Sequence, residues 1–157
     1  MKKSSIYLQV VSVLLVAILV ISGSMPVSAA TPRSTMFIAA QSSSLERTTN
    51  TELKVFYYVN SWTLLDKLGV FSVAIQRSSD QQTWQTESAF YYWTNPEFVV
   101  EDDFVHEGNL YYNGTRGYYY RAQITFFASK DGSGEKTYMT TKTVYIPPLG
   151  NGGRVAE

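Results

Sequence analysis

One histidine and one short acidic stretch are the residues of this chain best placed, by type and spacing, to do chemistry. His106 is the only histidine among 157 residues, so a histidine-rich metal site is excluded. A serine–histidine–acid triad would have to recruit its other members through the fold, and no Gly-x-Ser-x-Gly elbow exposes a nucleophile. Glu101, Asp102, Asp103 and Glu107 surround the histidine in sequence. Carboxylates this close could ligate calcium or act as a pair in glycosidic cleavage. Strand alternation would place Glu101 and Asp103 on one side and Asp102 on the other. Calcium-loop spacing is absent, and such a run ordinarily solvates an outer edge. The expectation is an exposed His106 near a strand end, with no catalytic residue, no metal ligand and no cofactor; calcium binding by Glu101 to Glu107 is left open. The chain has no cysteine, which removes disulfides, thiol catalysis and thiolate metal sites.

Aromatic rings are the one enriched chemistry. Beyond Tyr7 the chain carries eleven of its twelve tyrosines, with three tryptophans and eight phenylalanines. Runs such as Ala89-Phe90-Tyr91-Tyr92-Trp93, Tyr111-Tyr112 and Tyr118-Tyr119-Tyr120 cannot all point into a core, because neighbours on a strand face opposite ways. Rings left outside either pair across strands to stabilise the outer face or offer flat surfaces to sugars and protein partners. Trp62, Tyr92, Trp93 and Tyr119 are the candidate ligand-binding residues.

The elements that must position them read as short strands separated by turn chemistry. Met36 to Gln41 is a first strand, and Leu53 to Val59, rich in β-branched and aromatic residues, is a second. Trp62 to Leu68 reads as a loop with one helical turn, closed by Gly69. Val70 to Arg77 follows, with Phe71, Val73 and Ile75 on one face. Ser78 to Thr83 is a polar turn, Trp84 opens the next strand, and Ala89 to Trp93 stops at Asn95-Pro96. Phe98 to Val105 is a further strand. Asn113-Gly114 is a turn signal, and Gly117 to Ala128 puts Tyr118, Tyr120, Ala122, Ile124 and Phe126 on one face. Asp131-Gly132-Ser133-Gly134 turns the chain, Tyr138 to Ile146 returns, and Pro147-Pro148 ends the domain. Seven to eight such strands, without a long amphipathic helix or an internal repeat, predict an all-β antiparallel sandwich.

The N-terminus sets the compartment. Lys2 and Lys3 precede an apolar run, densest from Val10 to Ile21 and broken there only by Ser12. Gly23, Pro26 and the small-residue end Val27-Ser28-Ala29-Ala30 follow. This is the order of a secretory signal peptide, with cleavage expected after Ala29 or Ala30. A retained anchor is the alternative, but the run is short for a membrane span. The division is therefore a signal peptide over 1–30, a short polar lead-in over 31–35, a β-sandwich domain over 36–146 and a flexible tail over 147–157. Without Lys2 and Lys3 the chain has 11 basic residues against 13 acidic ones. That balance lacks the basic footprint of nucleic-acid binding, and no membrane contact is expected after cleavage.

Two segments carry a family resemblance. Ile75-Gln76-Arg77-Ser78-Ser79-Asp80, followed by Thr83-Trp84, resembles the third strand, turn and next strand of bacterial fibronectin type III-like domains. Gly117-Tyr118-Tyr119-Tyr120-Arg121-Ala122 resembles their sixth strand. The likeness covers Val70 to Ile146 and implies a fibronectin type III/immunoglobulin-like sandwich with a corner tyrosine at Tyr118 and Trp84 over the sheet edge or core. Taken with the signal peptide, these segments also resemble a group of small secreted Gram-positive bacterial proteins whose domain is of unknown function. Ser78-Ser79-Asp80-Gln81-Gln82-Thr83-Trp84 is similar to the Asp-box hairpin of sialidase-type propellers, but it is one residue short, lacks the glycine and occurs once. The expectation is a secreted, non-catalytic interaction module that contacts an unidentified protein or cell-surface partner. The alternative is a carbohydrate-binding module for wall or environmental glycans.

Overall fold

A run that alternates buried and half-buried, Leu53, Val55, Tyr57 and Val59 inward with Lys54, Phe56 and Tyr58 opposite, starts the strand that organises the fold. The structure, a computed structural model, describes residues 36–149; the expected signal peptide, the lead-in and residues 150–157 lie outside the described residues. The described chain runs β1 (Ile38–Arg47), β2 (Glu52–Ser78), β3 (Gln85–Tyr91), a 3-10 turn (Pro96–Phe98), β4 (Val99–Asn113), β5 (Tyr118–Lys130), β6 (Ser133–Thr140) and β7 (Val144–Ile146). All seven strands pair antiparallel in one strongly curled, half-barrel sheet.

At 27 residues, β2 is the axis of that sheet. Its first half pairs with β1 on one edge, Val59 against Gln41, and with β4 on the other, Val59 against His106. Its second half pairs with β5, Val73 against Ile124, and with β3, Val73 against Phe90. On the outer edge of β5, β7 pairs with its start (Tyr118 to Tyr120) and β6 with the rest (Gln123 to Lys130). The segment expected to be a loop is therefore strand. Between the pairs Asn60–Val105 and Leu65–Asp103 the register shifts, so residues 61–64 bulge out of β2. Polar side chains hold this bulge. Ser61 Oγ donates to Thr63 O (2.7 Å) and accepts the Thr63 N–H, while Lys130 Nζ donates to Leu64 O (3.0 Å). The Asp66 carboxylate accepts the Asp131 N–H (2.8 Å), which straps the bulge to the β5–β6 turn.

A second register shift between Val70 and Ser72 changes which side chains face inward. Val70, Val73 and Ile75 are buried, and Phe71 turns to the outer side, contrary to the expected face of Phe71, Val73 and Ile75. The extra residue resets the two-residue period of the strand. On β5 the expected face stands, with Tyr120, Ala122, Ile124 and Phe126 fully buried and Tyr118 half-buried. The tyrosine that bonds back to the preceding turn is Tyr120 and not Tyr118. Its hydroxyl accepts the Thr115 N–H at 2.7 Å, and burial raises its pKa.

Two close approaches fix β4. Tyr57 lies over its partner Gly108, where an added Cβ would sit 2.3 Å from the phenol oxygen. Gly69 passes Phe98 so closely that a Cβ would lie 2.1 Å from the Phe98 carbonyl. The free end of β1 is held by a single carboxylate: Glu135 on β6 accepts the N–H groups of Met36, Phe37 and Ile38 at 2.6, 2.9 and 2.6 Å. The β5–β6 hairpin closes on Asp131 and Gly132, both at positive φ, the geometry that two-residue hairpin turns favour.

Candidate ligand-binding face

The second half of β2, with β3 on one side and β5 and β6 on the other, gives four adjacent strands whose outer side chains share one surface. Register defines its central row: Tyr91 on β3 stands beside Ser72 on β2, then Thr125 on β5, then Tyr138 on β6. The next row is Ala89, Ala74, Gln123 and Thr140. Short side chains therefore floor the middle strands, and a tyrosine stands on each flank. Three inter-strand spacings separate the flanks, roughly 14 Å. The floor between them is a shallow depression of about 330 Å³ lined by Ser72, Ala74, Gln123, Thr125 and Tyr138.

The β3 flank is an aromatic cluster. Trp93 stacks on Tyr91, centroids 4.4 Å apart and planes 13° from parallel, and meets Tyr92 edge-on at 5.3 Å. Phe71 joins Tyr92, Trp93 and Phe127 at 5.5, 5.6 and 6.2 Å. Trp93 is 57% exposed and Tyr138 76% exposed, so apolar ring area on both flanks remains open to a ligand.

Polar contacts order the far end. Arg121 Nε donates to Gln76 Oε1 (2.8 Å), and Gln76 Nε2 donates to Gln123 Oε1 (3.1 Å). The Arg121 guanidinium rests 4.2 Å from the Trp84 ring. Trp84 in turn donates its indole N–H to Gln81 O. The turn below it is built on Asp80, whose carboxylate accepts the N–H groups of Gln82 and Thr83, both at 2.8 Å, and the Ser78 hydroxyl. Those backbone bonds lower the Asp80 pKa to about 2. The residues that resemble an Asp-box thus make an Asx-type turn, which is a structural role.

The expected candidates separate in space. Tyr92 and Trp93 meet in the cluster on the β3 flank. Trp62 is 75% exposed but sits at the bulge, beside exposed Leu64 and Phe104. Tyr119 lies one row beyond Arg121 and is half-buried against its cross-strand partner Tyr145, 4.6 Å away. Tyr91, Tyr138, Phe71 and Phe127 also form this face and are not among the candidates the sequence offers. The signal for Tyr91 was its place in an aromatic run; Tyr138 stands alone and gave none.

The two features best suited to chemistry by type sit elsewhere. His106 is buried mid-strand against Tyr57, ring centroids 5.6 Å apart, and not exposed at a strand end. Burial pushes its pKa below 6.5, against the opposing pull of the Glu97 and Phe98 backbone and the Asp103 and Glu107 charges. Glu101 pairs with Lys67 at 3.3 Å, and one Asp103 oxygen accepts the Phe104 and Val105 N–H groups. Asp102 sits at positive φ (53°), which breaks the expected alternation of this stretch. Among the described residues no three carboxylate or imidazole groups come together to hold an ion. No protein-family model matches the sequence, and no curated protein matches it.

Proposed function

We propose that the chain is an exported, non-catalytic binding module whose outer face takes a glycan chain lying along β2 and β5. The observation that carries this reading is the floor of Ser72, Ala74, Gln123 and Thr125 between two exposed aromatic flanks. Sugars present both an apolar ring face and a rim of hydroxyls. Aromatic rings match the first, and serine, threonine and glutamine side chains match the second. A non-catalytic role is supported by His106 being packed against Tyr57 and by carboxylates spent on Lys67 and on backbone N–H groups.

The fibronectin type III/immunoglobulin-like sandwich is part of the same proposal. Its support is the pairing order, β1–β2–β4 around the first half of β2 and β3–β2–β5–β6 around the second, together with the Tyr120–Thr115 corner bond. On this reading the second and third strands of the sandwich run together through the bulge at 61–64. Action outside a Gram-positive cell is supported by the order of residues 1–30 and by the resemblance of the Ile75–Trp84 and Gly117–Ala122 segments to secreted proteins of such bacteria.

Co-sedimentation of the mature protein with insoluble cell wall and polysaccharides tests the reading. Saturable binding is expected, reduced about tenfold or more in a folded Trp93→Ala, Tyr138→Ala variant, taking as the scale the about 1–3 kcal/mol that a base stacked on one aromatic ring contributes. Equal binding by parent and variant would sink the assignment of this face. A second reading, a protein partner, is favoured by one feature: Trp62, Leu64 and Phe104 expose apolar side chains around a bulge that Lys130 and Asp66 hold in shape. Binding to no wall or sugar would put that reading first.

A further inference from the structure

We infer that the glycan held by this face is an anionic polysaccharide, its acidic groups met by Arg121 at one end of the trough and Lys136 at the other. The inference rests on the glycan reading above and adds the charge of the ligand. Net charge gives no hint of it, since acidic residues outnumber basic ones once Lys2 and Lys3 are set aside. The local distribution does. From the row of Gln76 and Arg121 to the row of Phe127 and Lys136, the outward positions of β2, β5 and β6 include two cations and no carboxylate. The acids nearest in sequence and register are already engaged. Glu101 pairs with Lys67 one row beyond Phe127, and Asp80 is spent on its own turn. Glu135, next to Lys136, is spent on the N–H groups that start β1.

Both cations are pre-positioned. The Lys136 ammonium lies 3.2 Å from the Phe71 ring centroid, and Arg121 is held by Trp84 and Gln76. Neither has a carboxylate partner among the described residues, so a ligand anion would not have to displace one. Rings beneath the charges hold the side chains in place without neutralising them. Six residues of β5 separate the two rows, roughly 20 Å at the rise of a strand, so the two charges suit an extended polymer with repeated acidic groups better than a single small anion.

The test compares soluble carboxymethylcellulose with neutral hydroxyethylcellulose of matched length, titrated against the full mature protein at low and high salt. The expected result is an affinity about five- to tenfold higher for the acidic polymer at low salt, the scale of two exposed charge pairs. The preference should shrink at high salt and fall to about one in an Arg121→Gln, Lys136→Gln variant. Lys136→Gln alone should remove part of it, and Arg121→Lys should keep most of it, so a folding defect from loss of the Trp84 contact is distinguishable. Equal affinity for the two polymers would overturn the anionic assignment and leave the glycan reading standing. A preference that persists in the double variant would overturn the roles of Arg121 and Lys136. Binding to neither polymer would overturn the inference and the glycan reading together.

Discussion

Each face of β5 carries a tyrosine and a phenylalanine, and the two pairs of rings behave in opposite ways. Tyr120 and Phe126 are fully buried; Tyr119 and Phe127, their immediate neighbours, lie half-exposed on the other side. Inward, the rings fill space between strands and Tyr120 ties the β4–β5 turn. Outward, Tyr119 pairs with Tyr145 and Phe127 supports the cluster beside the trough. Composition cannot tell these roles apart; the phase of the strand does. An aromatic-rich sequence therefore supplies a core and a candidate binding surface at once, with one residue of register deciding which ring serves which.

Paired substitutions put that contrast under strain. The largest effect is expected for Phe126→Ala, a loss of about 3–5 kcal/mol of stability, as for other buried phenylalanines. Phe127→Ala should cost about 1 kcal/mol, the order of its edge-to-face ring contacts. Urea denaturation of both reads the difference, and equal losses would mean the two faces are not distinct. Next in size is Gly108→Ala, expected to cost about 1–3 kcal/mol because the new Cβ forces the Tyr57 ring from its seat; a near-neutral result would show that the ring has room to move. Tyr120→Phe should cost about 1–2 kcal/mol through the orphaned Thr115 N–H, against under about 0.5 kcal/mol for Tyr119→Phe.

The smallest effect concerns pH. Burial holds His106 below its ordinary value of 6.5. The unfolded chain then takes up a proton at pH values where the folded one does not. Stability should be unaffected by this group above about pH 6.5 and should decline as pH falls below it, towards the lowered folded value. Replacing His106 with Gln should flatten denaturation midpoints across that window. Asp80 acts in a lower window: its contribution is present above about 3.8 and is lost as pH falls towards 2.

What sequence could reveal followed from how local the cause was. The turn at Asp131-Gly132 and the inward face of β5 are written in adjacent residues, and the structure has them; Asn113 instead ends β4 paired with Glu52, and the chain turns at Arg116-Gly117. Trp62 to Leu68 reads as a loop because polar residues break the apolar rhythm, yet partners on β4 from Leu65 and on β5 from Lys67 keep its second part extended. Phe71 reads onto the face of Val73 and Ile75, but a bulge set by long-range pairing shifts the period by one and turns it outward. Tyr118, which the resemblance implies as the corner residue, shares a strand face with Tyr120, so only the reach to the Thr115 N–H singles out Tyr120. The trough was less legible still. Tyr91 and Tyr138 are 47 positions apart in the chain and come to flank one floor only through three strand pairings.

The length of β2 also bears on how the chain reaches this structure. One strand serves as partner to β1, β3, β4 and β5, and three of those four lie after it in sequence. As the polypeptide emerges from its N-terminus, β2 is complete at Ser78, but one edge of its first half waits for residue 113 and one edge of its second half for residue 130. Unpaired strand edges invite association between chains, and distant pairings form slowly. A freshly emerging molecule thus passes through an interval with its most apolar strand half-dressed, and the carboxyl-terminal hairpin has to arrive before the amino-terminal strand can be fastened by Glu135.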